Sequence, residues 1–165
     1  MKIGITGHTA GIGKYIFENY SNVQGFSRSN GFDISKKYNR KKILDNLEDI
    51  DCFINSAYSD FNQSSLLLEF WLKYRWQNKT IINIGSKAAE NKFSENNISI
   101  IEYRMHKRSL KDLCEDLQKC KSQVSLSYVN LGYVYTGKTK VPLMSNYLTV
   151  AQAATIIMES NNDTF

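Results

Sequence analysis

The sequence predicts an α/β fold built on a parallel sheet. Strand and helix signals alternate along the whole chain, which is the pattern of such a sheet. A short apolar strand candidate, Lys2 to Thr6, runs directly into the glycine-rich stretch Thr6-Gly7-His8-Thr9-Ala10-Gly11-Ile12-Gly13, which opens an amphipathic helix. At 165 residues the chain is expected to form one domain, residues 1–165, with a single core that buries most of its apolar surface.

The remaining strand candidates are Asn22 to Ser27, Asp51 to Asn55, Thr80 to Gly85 and Val124 to Asn130. Between them the apolar spacing predicts a helix from Gly11 to Asn19, with Ile12, Tyr15, Ile16 and Tyr20 facing inward. A second helix runs from Ser35 to Glu48, with Ile43, Leu44 and Leu47 as its apolar stripe. A third covers Asn62 to Trp76, and a fourth carries Tyr103 and continues through Leu110, Leu113, Cys114 and Leu117. The last helix starts behind Thr149 as an N-cap and contains Ala153, Ala154 and Ile157. The sequence shows no repeats, linkers or low-complexity stretches.

Composition narrows the class. A hydrophobic share of 42%, with one proline and nine glycines, is that of a globular protein. No window approaches the about 18 uninterrupted apolar residues of a membrane span. The strand-like N-terminus carries no signal-peptide pattern. Cys52, Cys114 and Cys120 are odd in number and lack metal-ligand spacing, so reduced thiols, no metal and a cytoplasmic location are expected. The net charge is +5, with basic residues crowded into Lys36-Lys37-Tyr38-Asn39-Arg40-Lys41-Lys42. The apolar stripe behind that run makes it a solvated helix face rather than a nucleic-acid patch.

Two segments carry chemistry. The glycines after the first strand suit a dinucleotide turn: they allow a sharp bend, close approach of a pyrophosphate, and tight packing of helix on strand. The helix N-terminus there favours an anion. In Tyr103-Arg104-Met105-His106-Lys107, the first and last residues share one helix face. An ammonium beside a phenol favours the phenolate, which makes the tyrosine a usable acid or base near neutral pH. Further signals follow in order: Asn55-Ser56-Ala57 ending a strand, Gly85-Ser86 ending the next, and Leu131-Gly132-Tyr133-Val134-Tyr135-Thr136 after the last.

In that order the segments resemble the short-chain dehydrogenase/reductase family. That family is marked by Thr-Gly-x-x-x-Gly-x-Gly, Asn-Asn-Ala-Gly, a serine, Tyr-x-x-x-Lys and Pro-Gly-x-Val-x-Thr. The resemblance runs from Met1 to near Ala154. It implies a Rossmann-like, doubly wound parallel sheet, here pruned to five or six strands. Only a few residues separate Arg28 from Asp33-Ile34, where family members insert a helix and a short strand. The family's final strand has no counterpart, and the lid from Gly137 to Tyr147 is short. A shallow, open substrate pocket is therefore expected. Leucine stands at 131 where the family has proline, and Ser56 and Tyr58 depart from Asn-Asn-Ala-Gly.

The resemblance implies a nicotinamide-dependent oxidoreductase acting on a small carbonyl or alcohol. Tyr103 would be the proton donor or acceptor, Lys107 would lower its pKa and hold the ribose, and Ser86 would orient the carbonyl oxygen. Asn62 would hold a relay water. Gly7, His8, Thr9, Gly11, Ile12 and Gly13 would cradle the cofactor, with His8 at most a contact. Asp33 and Ile34 would meet adenine. Asn55, Ser56 and Ala57 would border the nicotinamide ribose, and Gly132, Val134 and Thr136 its carboxamide. Ser27, Arg28 and Ser29 end the second strand with no acid before Asp33, so NADP(H) is favoured over NAD(H). The helix with Leu66, Leu67, Leu68, Phe70, Trp71, Tyr74 and Trp76 is apolar on more than one face, which predicts a homodimer. The competing reading is a catalytically silent dinucleotide-binding sensor on the same fold. A nucleotide-sugar epimerase or dehydratase relative is disfavoured, since those use a shorter glycine spacing and a larger substrate domain.

Overall fold

A computed structural model describes residues 1–90, 97–136 and 147–160. The elements follow in strict alternation: β1 (Ile3–Thr6), α1 (Gly11–Asn19), β2 (Val23–Phe26), α2 (Lys37–Asp45), β3 (Cys52–Asn55), α3 (Asn62–Tyr74), β4 (Thr80–Ile84), α4 (Ile98–Gln118) and β5 (Ser125–Val129). A two-residue parallel pair, β6 (Val134–Tyr135) and β7 (Leu148–Thr149), then leads into α5 (Val150–Glu159). That pair was not anticipated: two residues are too few for any periodicity. The expected lid residues 137–146 lie outside the described residues.

All five main strands are parallel, in the order β2-β1-β3-β4-β5. This is a doubly wound sheet. Removing an outermost strand and its helix from the six-stranded order 3-2-1-4-5-6 and renumbering gives the same arrangement of neighbours. Strand order reverses between β1 and β3, so the crevice at their C-terminal ends is where such sheets bind ligands.

Helices cover both faces. Phe26, Phe53 and Ile81 meet α2, α3 and α4 through Ile43, Leu44, Leu66, Phe70, Leu110, Cys114 and Leu117. The alternate residues Ile3, Ile5, Cys52, Ile54, Ile82 and Ile84 meet α1 and α5 through Ile16, Ala153, Ala154 and Ile157. Because both faces are buried, β1 and β3 are apolar up to their final residues, Thr6 and Asn55, and this made them easy to find in the sequence. Thr149 caps α5 as expected: Gln152 N donates to Thr149 Oγ1 at 3.2 Å, and Thr149 N donates back to Gln152 Oε1 at 2.9 Å.

Two buried cations shape the outer layer. Arg40 is only 7% exposed, so one member of the basic run is not solvated. Its Nε and Nη2 grip both carboxylate oxygens of Glu69 at 3.1 and 3.0 Å, which ties α2 to α3. Lys79, at the entry to β4, donates to the carbonyls of Leu47, Glu48 and Ile50 at 2.8 to 2.9 Å. This lysine caps the turn after α2, which ends at Asp45 rather than at the expected Glu48.

Candidate functional site

A cavity of about 1250 Å³ opens at the C-terminal ends of the strands. Its walls come from the glycine turn, the end of β2, the loop after β3, the end of β4, α4 and the segment 131–136. The glycine turn is built as the chemistry requires. Gly7 and Gly11 have φ of +78° and +54°, which side-chain-bearing residues rarely adopt. A Cβ on Gly13 would collide with the carbonyl oxygen of Gly7, so α1 can lie against the strand end only with glycine there. At the N-terminus of α1, Ala10 offers no side-chain cap and the first turn holds no acid, so the amide groups remain for a ligand anion. Thr6 Oγ1 accepts from the backbone N–H of Ser56 and Ala57 at 2.9 and 3.0 Å, which fixes the loop after β3 beside the glycine turn.

At the end of β2 the chain makes a single 3₁₀ turn, Arg28–Asn30, in place of a helix and strand. Asn30 holds it: its Oδ1 accepts from Ser27 N at 2.7 Å and its Nδ2 donates to Gly25 O at 2.9 Å. Ser27, Arg28, Ser29, Asp33 and Ile34 all line the cavity here. The carboxyl of Asp33 is held below the usual carboxylate range by hydrogen bonds from Ser35, helped by the charges of Arg28 and Lys36. Its acceptance from Ser35 N, at 3.0 Å, shapes the turn rather than capping α2, whose N-cap is Lys36.

Ser86, Tyr103 and Lys107 line the same cavity. Ser86 follows β4 and caps a 3₁₀ turn, its Oγ accepting from Ala88 N at 3.2 Å. The hydroxyl keeps its own hydrogen free to donate. Lys107 is 4% exposed, and burial brings its amine down to about 8 from the ordinary lysine value. Its Nζ donates to Gln63 Oε1 at 2.8 Å and to Ile84 O at 2.9 Å. An ammonium has three donors, so one is left for the cavity side. The amine sits 5.9 Å from the centre of the Tyr103 ring.

The structure separates some positions expected at the site. Asn62 does not line the cavity: its Oδ1 accepts from Arg40 Nη1 at 2.9 Å. Gln63, one residue on, turns inward instead and meets Lys107, its Nε2 donating to Asn55 O at 2.7 Å and Ile84 O at 3.1 Å. Asn55 is fully buried and structural, its Nδ2 donating to Gln63 O and Asn83 Oδ1. The ring of His8 fills the space over Gly25 and packs on Phe17 at 4.7 Å, away from the cavity. Gly11 shapes the turn and approaches Thr136. Thr9, Ile12, Gly13, Ser56, Ala57, Gly132, Val134 and Thr136 do line the cavity.

Three features escaped the sequence reading. Gln63 gives no signal of its own. Tyr58 shares a 2.9 Å hydrogen bond with His106 Nδ1 and meets Tyr103 edge-on at 5.0 Å, pairings between residues far apart in the chain. Lys87 lines the cavity with its side chain over Gly132. Among the described residues no group of His, Cys, Asp or Glu is placed to hold a metal ion. Nor does any helix there have the length and apolarity to cross a membrane.

No family model and no curated protein sequence matches the chain. Solved structures do. A short-chain dehydrogenase/reductase from Vibrio parahaemolyticus is 17% identical with a TM-score of 0.71, covering 95% of this chain and 91% of that one. A short-chain dehydrogenase from Burkholderia cenocepacia, in complex with NADP, gives a TM-score of 0.78 at 14% identity, over 98% and 86%. One from Burkholderia phymatum, in complex with NAD, gives 0.61 at 14% identity, over 97% and 78%. The chain has the short-chain dehydrogenase/reductase fold. Within that fold it is a compact version, with five strands in the main sheet among the described residues. The short-chain dehydrogenase/reductase frame thus places the glycine turn, β2 end and Tyr103 helix around one cavity.

Proposed function

We propose that the chain is an NADP(H)-dependent oxidoreductase of the short-chain dehydrogenase/reductase type, acting on a small carbonyl or alcohol. The observation that supports this most is that Ser86, Tyr103 and Lys107 share one cavity with an anion-ready glycine turn. The residues fit the cofactor. The tight Gly7–Gly13 contact and uncapped α1 suit a pyrophosphate, while Arg28 with Ser27 and Ser29 suits a ribose 2′-phosphate. A bound nicotinamide would supply or accept the hydride.

The chain's own residues handle the proton. Ser86 donates to the carbonyl oxygen and fixes its direction. As negative charge develops on that oxygen, Tyr103 Oη gives up its proton. Lys107, charged below about pH 8, offsets the phenolate that remains. Gln63 and the Ile84 carbonyl keep the amine in place and take two of its three hydrogens, leaving one for the reacting side. We also propose a homodimer through α3. Leu66, Leu67, Phe70, Trp71 and Tyr74 are buried in the protomer, but Leu68 and Leu72 on α3, and Trp76 just beyond its end, are exposed.

The test is an NADPH-oxidation screen against aldehydes, ketones and quinones. Tyr103→Phe is expected to lower turnover by about a hundredfold or more while leaving NADPH affinity intact. Turnover at the wild-type rate in that variant ends the mechanism. NADPH binding with no turnover of any carbonyl would identify a silent sensor instead.

A further inference from the structure

We propose that the substrate is an aromatic carbonyl compound, selected by a rim of tyrosine rings in which Tyr58 is the specificity-determining residue. This rests on the oxidoreductase reading of the site. The cavity that holds Ser86 and Tyr103 is also lined by Tyr58, Tyr133 and Ile100, and Tyr58 lies against Tyr103 itself. Tyr58 and Tyr133 are 45% and 73% exposed, so large aromatic surfaces stand open where a substrate would arrive. Neither ring hangs free. Tyr58 is tethered through its hydroxyl to His106 Nδ1 and rests edge-on against Tyr103. His106 is braced in turn by Phe61, ring centres 4.3 Å apart, and Tyr133 leans on Tyr147 at 5.5 Å. Ordering these rings before a ligand binds removes part of the entropy that binding would otherwise lose.

Charge narrows the class further. Lys87 adjoins Ser86 in the chain and Lys107 lies near Tyr103, while the other lining charges, Arg28 and Asp33, follow β2. A cationic substrate would meet two amines and no counter-ion. A flat apolar group would meet ring faces and edges, the contacts aromatic groups favour. Tyr58 also touches the proton-transfer machinery, since the Lys107 amine lies 5.6 Å from its ring centre. A substrate ring resting on Tyr58 would therefore hold its carbonyl close to Tyr103.

The experiment is ligand-observed NMR titration of the full chain, with and without NADPH. The probes are acetophenone and cyclohexyl methyl ketone, which match in carbon count and carbonyl but differ in ring planarity. The wild type should prefer acetophenone by about fivefold more than Tyr58→Ala does, roughly the strength of one aromatic pair. Tyr58→Leu, which keeps bulk without a π face, should lose the preference too. An unchanged ratio in either variant overturns the proposal, as does failure of the wild type to bind either ketone. Selective binding without turnover would leave the aromatic rim standing and remove only the catalytic reading.

Discussion

Replacing Gln63 with methionine is expected to destabilise the fold by about 3 kcal/mol near pH 7 and by clearly less near pH 10. Methionine keeps the volume of a side chain that is 2% exposed, so the loss is polar rather than a cavity. The amide of Gln63 accepts from Lys107 at 2.8 Å and donates to the Asn55 and Ile84 carbonyls. A buried hydrogen bond to a charged group contributes about 1.5–3 kcal/mol and a neutral one about 1, while Ile84 O keeps its bond from Lys107. The sign with pH follows from the amine. Burial depresses Lys107 to about 8 from 10.5, so between those values the unfolded chain holds a proton the folded chain has lost. Wild-type stability therefore rises with pH across that window, because the cost of burying the charge disappears. In the variant the amine has fewer acceptors, the depression deepens, and the window opens at lower pH. Once the amine is neutral in both proteins, about 1 kcal/mol of difference remains. Urea unfolding followed by circular dichroism at the two pH values measures this. A penalty under about 1 kcal/mol near pH 7, or one that does not change with pH, would show that Gln63 does not support a charged amine.

Arg28→Ala should weaken NADPH binding about tenfold or more and leave NADH binding nearly unchanged, since only the 2′-phosphate needs a bidentate cation. Calorimetric titration with both cofactors decides it, and equal losses for both would contradict the assignment. Leu72→Glu places a charge on the proposed α3 interface, where Leu72 is 57% exposed. It should convert a wild-type dimer to a monomer at micromolar concentration with an unchanged melting temperature. Sedimentation showing a monomeric wild type would refute the interface.

Much of this architecture was legible because burial writes itself into composition. Ile3 to Thr6 and Cys52 to Asn55 are buried on both faces, so the apolar runs Ile3 to Ile5 and Cys52 to Ile54 marked strand bounds to within a residue. The glycine turn was equally readable, since Gly7, Gly11 and Gly13 each answer a backbone or packing demand that glycine meets most easily. What stayed hidden depends on rotation and long-range pairing. Asn62 and Gln63 are adjacent amide side chains at the start of α3, and about 100° of helix phase decides which one meets Lys107. Phase at a helix start has no one-dimensional signature. Arg40 was masked by the charged neighbours of its run, because only the tertiary placement of Glu69 distinguishes a clamp from a solvated residue. Tyr58 and His106 lie 48 positions apart and meet only because the loop after β3 and α4 flank the same cavity.

One hydroxyl sets how the cavity can respond to its contents. By holding two amides of the neighbouring loop, Thr6 joins the turn after β1 and the turn after β3 into a single rigid jaw. A bulkier ligand cannot spread these two walls apart without breaking those two hydrogen bonds. Widening is expected instead from across the cleft, where among the described residues Val134 and Tyr135 pair with Leu148 and Thr149 in a ladder of two residues, far shorter than the main sheet.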